Sequence, residues 1–169
     1  MGTMPIEIER KYIIRIPSEE KMHSCESYTV SEIQQIYIES SPLVTHRVRS
    51  RKKNGITVYT ETKKIRIDKM SSYEDEREIC ESEFNALIGK IKKGTSPIIK
   101  TRHTFDYIDK TFEVDVYPEW KNTCIMEIEL KSKDEEIYFP TFIEVLKEVT
   151  GNKAYSNASM SKSFPQEII

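Results

Sequence analysis

Period-two alternation runs through most of this chain and constrains its fold more than any other feature. Residues two apart on a strand point to the same face. On that pattern Ile6 to Ile16, Glu32 to Glu39, Leu43 to Lys52 and Ile56 to Ile67 read as strands. Further strands are expected at Glu74 to Cys80, Ile98 to Asp106, Thr111 to Tyr117 and Cys124 to Lys131. Asn54-Gly55 lies between the third and fourth runs and predicts a tight hairpin. Phe84, Leu87, Ile88 and Ile91 have helical spacing, predicting a helix over Phe84 to Lys93 that ends at Gly94. Phe142, Val145, Leu146 and Val149 predict a second helix over Asp134 to Thr150, with Pro140 in its first turn. The polar stretch Pro17 to Ser27 has room for one or two helical turns, and the tail from Gly151 reads as irregular. The expectation is an α+β chain of seven or eight mostly antiparallel strands with a few flanking helices. Sheets of that number often close into a barrel, because closure removes exposed edges.

The polar faces of these strands are unusual. Glu7, Glu9 and Lys11 share a face, as do Arg47, Arg49 and Arg51, Lys100 and Arg102, Glu113 and Asp115, and Glu127 and Glu129. Any one such row is ordinarily a solvated surface. Same-sign neighbours repel, however, and here the cationic and acidic rows fall on different strands. Turned into a closed barrel, they would make a hydrated interior in which Arg and Lys meet anionic oxygens and carboxylates hold hard cations. A polyphosphate with a divalent ion needs both at once.

Composition narrows the partners. The 169 residues suffice for one domain with its own core, and residues 1–169 are read as a single domain. Lys and Arg number 26 against 28 Asp and Glu, so there is no basic excess to attract nucleic acid or an acidic membrane. No apolar run reaches the length of a bilayer span. Cys25, Cys80 and Cys124 are far apart and in no ligand spacing, which points to reduced thiols and a cytoplasmic location. His23, His46 and His103 share no motif and read as surface or packing residues; Trp120, Tyr117 and Tyr155 read as core or rim.

Taken in order, the charged motifs resemble the CYTH superfamily, the triphosphate tunnel metalloenzymes. The hallmark Glu-x-Glu-x-Lys strand is Glu7-Ile8-Glu9-Arg10-Lys11. Arg47-Val48-Arg49, Thr62-Lys63-Lys64, Glu76-Arg77-Glu78 and Lys100-Thr101-Arg102 follow. Phe112 to Tyr117, Met126 to Leu130 and the C-terminal Glu148-Val149-Thr150 and Tyr155-Ser156-Asn157 complete the series, which spans nearly the whole chain. The resemblance implies a closed eight-stranded antiparallel β-barrel around a tunnel, acting on a triphosphate with Mg2+ or Mn2+. It implies that Glu7, Glu9 and Glu129 hold metal, with Glu127 close by. Arg47, Arg49, Lys64, Lys100 and Arg102 would grip phosphate oxygens, and Lys11 would also meet the substrate. Glu76, Glu78 and Asp115 would line the tunnel as metal, water or cation partners, with Glu78, Glu127 or Asp115 accepting a hydrogen bond or proton from an attacking water. Three positions depart from the pattern. Glu74 stands where the family often has Arg, and Ala154 precedes Tyr155 where a basic residue is common. The Thr60, Thr62, Lys64 alternation favours Lys64 over Lys63 for the tunnel.

The expected activity is hydrolysis of inorganic tripolyphosphate. The rival within the family is a class IV type adenylyl cyclase, or a nucleoside or thiamine triphosphatase, which needs nearly the same phosphate clamp. A non-catalytic polyphosphate-binding module is a third reading, disfavoured by the acidic rows. The expected partner is a triphosphate-bearing small molecule, with the chain a monomer or homodimer.

Overall fold

The computed structural model describes residues 5–168. Eight strands close into an antiparallel barrel: β1 (Ile6–Arg15), β2 (Glu26–Ile38), β3 (Thr45–Lys53), β4 (Ile56–Arg66), β5 (Ser71–Ile79), β6 (Ile98–Tyr107), β7 (Lys110–Val116) and β8 (Thr123–Leu130). The ring runs β1-β5-β4-β3-β2-β6-β7-β8 and returns to β1. The β3–β4 hairpin turns at Asn54 and Gly55, both at positive φ (51° and 77°), as the dipeptide predicts.

Closure is shared along β1. Its inner edge pairs with β8 from Ile8 to Arg15. Its other edge pairs with β5 only from Ile6 to Ile8, and from Tyr12 to Ile14 with a short ninth strand, β9 (Val145–Glu148). The Glu9 N–H donates to Met70 O (3.0 Å) and the Lys11 N–H to Thr150 Oγ1 (2.9 Å), so the change of partner falls between these two residues. Here the expected helix over Asp134 to Thr150 is corrected: the segment is turns followed by β9. Where β5 diverges, an open β1 edge would leave backbone groups unpaired, and β9 satisfies them. The apolar residues that mimicked a helical face divide between two places. Phe142 packs outside the barrel with Phe105, while Leu146 and Val149 join the cluster at its end.

Two smaller differences, in β2 and the second helix, concern boundaries, while the short helix expected within Pro17 to Ser27 is present. β2 begins at Glu26, earlier than its alternation indicates, with a register shift between Glu26 and Thr29 and Ser27 at positive φ. The first helix, α1, is Glu19–His23, capped by the Ser18 hydroxyl. The second, α2, is Glu81–Ile88 and stops at Gly89; Gly94, at φ 82°, belongs to a later turn.

The core is divided by the barrel wall. Outside, Tyr12, Ile14, Met22, Phe105, Phe112, Val114, Met126 and Ile128 form one cluster beneath α1 and the 137–143 segment. Ile36, Ile38, Val48, Ile79 and Phe84 form another beneath α2. The third cluster plugs one end of the lumen. Ile13, Tyr37, Ile98 and Ile125 meet Tyr117, Trp120, Val149, Tyr155 and Met160 there. The tail that supplies the last of these is a 3-10 turn (Lys153–Tyr155) and α3 (Asn157–Met160), and is latched by Tyr117 Oη donating to Asn157 Oδ1 (2.7 Å). With both outer faces and one end covered by apolar packing, the charged rows are left facing inward. Among the described residues no helix is long and apolar enough to cross a membrane.

Candidate active site

The inward rows enclose a cavity of about 1110 Å³. Its acidic wall is built from β1 and β8, whose register places Glu9 opposite Glu129 and Lys11 opposite Glu127. β7 continues it with Glu113, opposite Glu127. The cationic wall is built from β3, which presents Arg47, Arg49 and Arg51, with Lys64 from β4 and Arg102 from β6. Glu74 and Glu76 of β5 lie between the two. Period two sets these positions: a one-residue slip of any strand would send its charges into the outer apolar clusters.

The structure brings most of the sequence-predicted residues together. Glu7, Glu9, Lys11, Arg47, Arg49, Lys64, Arg102, Glu127 and Glu129 all line the cavity. Three do not. Glu78 lies exposed near the far end of β5, beside Thr60, and does not reach the cavity. Lys100 and Asp115 lie behind the cavity wall, with side chains 0% and 1% exposed and joined at 2.8 Å. They are buried at the plugged end of the barrel, where the lumen is too full for a ligand. Lys63 does not line the cavity, and Lys64 does.

Sequence reasoning left out Arg51, Glu74, Glu113 and the tail residues Asn152, Lys153, Ser156 and Asn157, all of which line the cavity. Arg51 and Glu113 belonged to rows already visible in the alternation. The tail carried no periodic signal.

Each wall has its own electrostatic state. On the acidic side, burial holds the Glu7 carboxyl up at about 7, helped by a hydrogen bond shared with Glu74. Burial raises Glu9 well above the usual range, with the charge of Glu127 and contact with Glu7 adding to it. Burial also raises Glu113. Glu127 behaves oppositely. Lys11 lies 3.4 Å away, and its charge overcomes the burial penalty and holds Glu127 down at about 2. Lys11 also donates to Tyr155 O (3.3 Å), tying β1 to the tail.

On the cationic side, Arg102 is fully engaged: it forks onto Asp115 (2.8 and 2.9 Å) and reaches Glu113 (2.9 Å). Arg47 has only a longer contact to Glu74 (3.7 Å), and its buried Nε has no hydrogen-bond partner. Arg49 is held by Gln35, and Arg51 by the Ser31 hydroxyl (2.9 Å). Burial and the repulsion of Arg47 and Arg102 lower Arg49 to about 9. Burial also lowers Lys100 to about 7, against the attraction of Asp115.

A divalent cation fits the acidic wall by the chemistry of its donors. Glu7, Glu9 and Glu129 offer hard carboxylate oxygens beside one another, the preference of Mg2+ and Mn2+. Among the described residues no three carboxylate, imidazole or thiol groups are already drawn together as ligands. The raised proton affinity of Glu7 and Glu9 comes first from burial and then from neighbouring carboxyls, which outweigh the nearby charge of Lys64, and a bound cation would relieve the same crowding.

No family model matches the sequence, and no curated protein matches it. Solved structures do match over nearly the whole chain. The inorganic triphosphatase NE1496 is 25% identical, with 97% of this chain and 99% of that one covered and a TM-score of 0.59. A protein from Pyrococcus furiosus is 24% identical over 76% of this chain and 80% of its own, at a TM-score of 0.58. A candidate adenylate cyclase from Bacillus halodurans is 20% identical over 79% and 84%, at a TM-score of 0.50. The closed antiparallel barrel with a charged lumen defines a tunnel-fold protein. The likeness to these solved structures supports the resemblance of the ordered motif series to the CYTH superfamily, the triphosphate tunnel metalloenzymes.

Proposed function

We propose that this protein hydrolyses a triphosphate, inorganic tripolyphosphate foremost, with Mg2+ or Mn2+. The observation that carries the reading is the facing of two walls across one cavity closed at one end. Arg47, Arg49, Arg51 and Lys64 stand on one side, and Glu7, Glu9, Glu127 and Glu129 on the other. Phosphoryl transfer is accelerated mainly by positioning and by neutralising charge on the phosphate oxygens. Arg47 and Arg49 have donor capacity that the protein itself does not use, and they supply that neutralisation. A divalent ion held by Glu7, Glu9 and Glu129 would add Lewis-acid polarisation of the phosphate. Lys11 stands on the acidic wall beside Glu127 and would contact the anion from that side. Of the three residues considered for orienting water, Glu127 alone lines the cavity; it stays ionised at neutral pH and can accept a water hydrogen bond. A pure binding module would need the cations but not the acidic wall. The resemblance to the inorganic triphosphatase NE1496 supports hydrolysis.

Exposed Pro42 and Leu43, with Ile65, line the mouth. The organic part of a nucleoside or thiamine triphosphate would lie there, so the test includes those substrates. Purified protein is assayed with Mg2+ or Mn2+ on tripolyphosphate, ATP and thiamine triphosphate. Phosphate released mainly from tripolyphosphate is the expected result, and cyclic AMP from ATP would overturn it. Glu9→Gln removes one carboxylate from the acidic wall and is expected to abolish metal-dependent turnover while leaving thermal unfolding intact. Normal turnover in that variant would refute the metal assignment.

A further inference from the structure

The cavity arginines are held in different ways. Arg102 is neutralised by two carboxylates, Asp115 and Glu113. Arg49 is gripped just as firmly, but by an uncharged group: its Nε and Nη2 both donate to Gln35 Oε1, at 2.9 and 2.6 Å. Among the described residues no carboxylate forms an ion pair with Arg49, and its Nη1 has no partner. Gln35 is 0% exposed and directly opposite Arg49 across the β2–β3 ladder. Its own amide donates to Tyr37 Oη at 2.6 Å, and Tyr37 is packed into the plug. The tether is therefore fixed on both sides: β2 is paired with β3 and β6, and the amide cannot rotate without losing Tyr37.

A carboxylate at this position would have the same shape and would give a cation crowded by other cations a counter-charge. The neutral amide instead orients the guanidinium and leaves its charge available for a ligand. We propose that Gln35 is a positioning residue for the phosphate clamp, aiming Arg49 at the bound anion while keeping it un-neutralised. This rests on the functional reading above for the identity of the anion. It assigns to a buried amide, which has no charge and touches no substrate, control over how tightly the triphosphate is held.

The test uses the full chain with Gln35→Glu and Gln35→Met. Three quantities are read: KM and kcat for tripolyphosphate with Mg2+, tripolyphosphate affinity without divalent metal by calorimetry, and the melting temperature. Gln35→Glu gives Arg49 a partner, so its melting temperature should hold or rise. KM and the metal-free dissociation constant should rise about tenfold or more, as for a charge-assisted hydrogen bond withdrawn from the ligand, with kcat little changed. A residue with only a structural role would not move stability and affinity in opposite directions. Affinity within about twofold of wild type in Gln35→Glu overturns the proposal. Should Gln35→Glu fail to fold, Gln35→Met decides. It removes the tether without adding charge and should raise KM and lower the melting temperature, whereas unchanged KM overturns the proposal. Wild-type protein that binds tripolyphosphate without hydrolysing it refutes the activity but leaves the affinity ratio to judge Gln35. Wild-type protein that does neither refutes both.

Discussion

Lys100→Met should stabilise the protein at neutral pH, and the gain should vanish as pH rises. The Lys100 side chain is 0% exposed, flanked by Arg102 and Arg49, and shares its one carboxylate, Asp115, with Arg102. Burial and the neighbouring cations hold its ammonium at about 7 against 10.5 for an ordinary lysine, even with Asp115 attracting it. The folded form therefore binds this proton less tightly than the unfolded chain. Below pH 7 both states carry it and the penalty is full. Between about pH 7 and pH 10 the folded protein loses the proton while the unfolded chain still holds it, so the penalty shrinks and wild-type stability rises with pH through that window. At about 1.4 kcal/mol per pH unit, the full penalty is on the order of 5 kcal/mol. Methionine fills similar volume without charge, and Asp115 keeps its two-pronged contact with Arg102. Urea unfolding of both proteins, followed by the fluorescence of buried Trp120, measures the difference. The advantage of the variant should shrink by roughly 2–3 kcal/mol between about pH 7 and pH 9. A difference constant with pH, or a variant less stable at neutral pH, would refute the reasoning.

Two further predictions concern the cavity's acidic wall and its rim. Adding Mg2+ at neutral pH should release protons, because Glu7 is held at about 7 and burial raises Glu9 well above the usual carboxylate range, and metal displaces what they bind. Calorimetry in two buffers of different ionisation heat reads this, and buffer-independent heats would contradict it. Gly151 has φ 73°, and a Cβ there would lie 2.7 Å from Lys69 Cβ; Gly55 has φ 77° and open space around it. Gly151→Ala should therefore cost about 1–3 kcal/mol and clearly exceed Gly55→Ala, where only backbone strain acts. Equal melting temperatures for the two variants would show that the contact between the β4–β5 turn and the tail is not tight.

How legible the molecule was in its sequence differs from element to element. Eight strands, the Asn54-Gly55 hairpin and the inward rows from Glu7 to Glu129 followed from period two, because on a strand the sequence itself states which face each residue takes. The same rule chose Lys64 over Lys63 for the lumen. Alternation does not state how deep along the lumen a residue sits. Lys100, Asp115 and Glu78 have the same inward parity as Arg102, Glu113 and Glu76, yet the first two are sealed at the plugged end and the third lies beyond the cavity. Depth depends on strand stagger and on the plug, which are properties of the assembled barrel. The helix expected over Asp134 to Thr150 failed for a related reason. Its apolar spacing is helical, but an unpaired edge of β1, more than a hundred residues away, draws Val145–Glu148 into a strand. Local pattern thus determined which side chains face the lumen. Only the tertiary structure decided which of them a ligand can reach, and which arginines meet it with their charge uncompensated, because both depend on neighbours brought together by closure of the barrel.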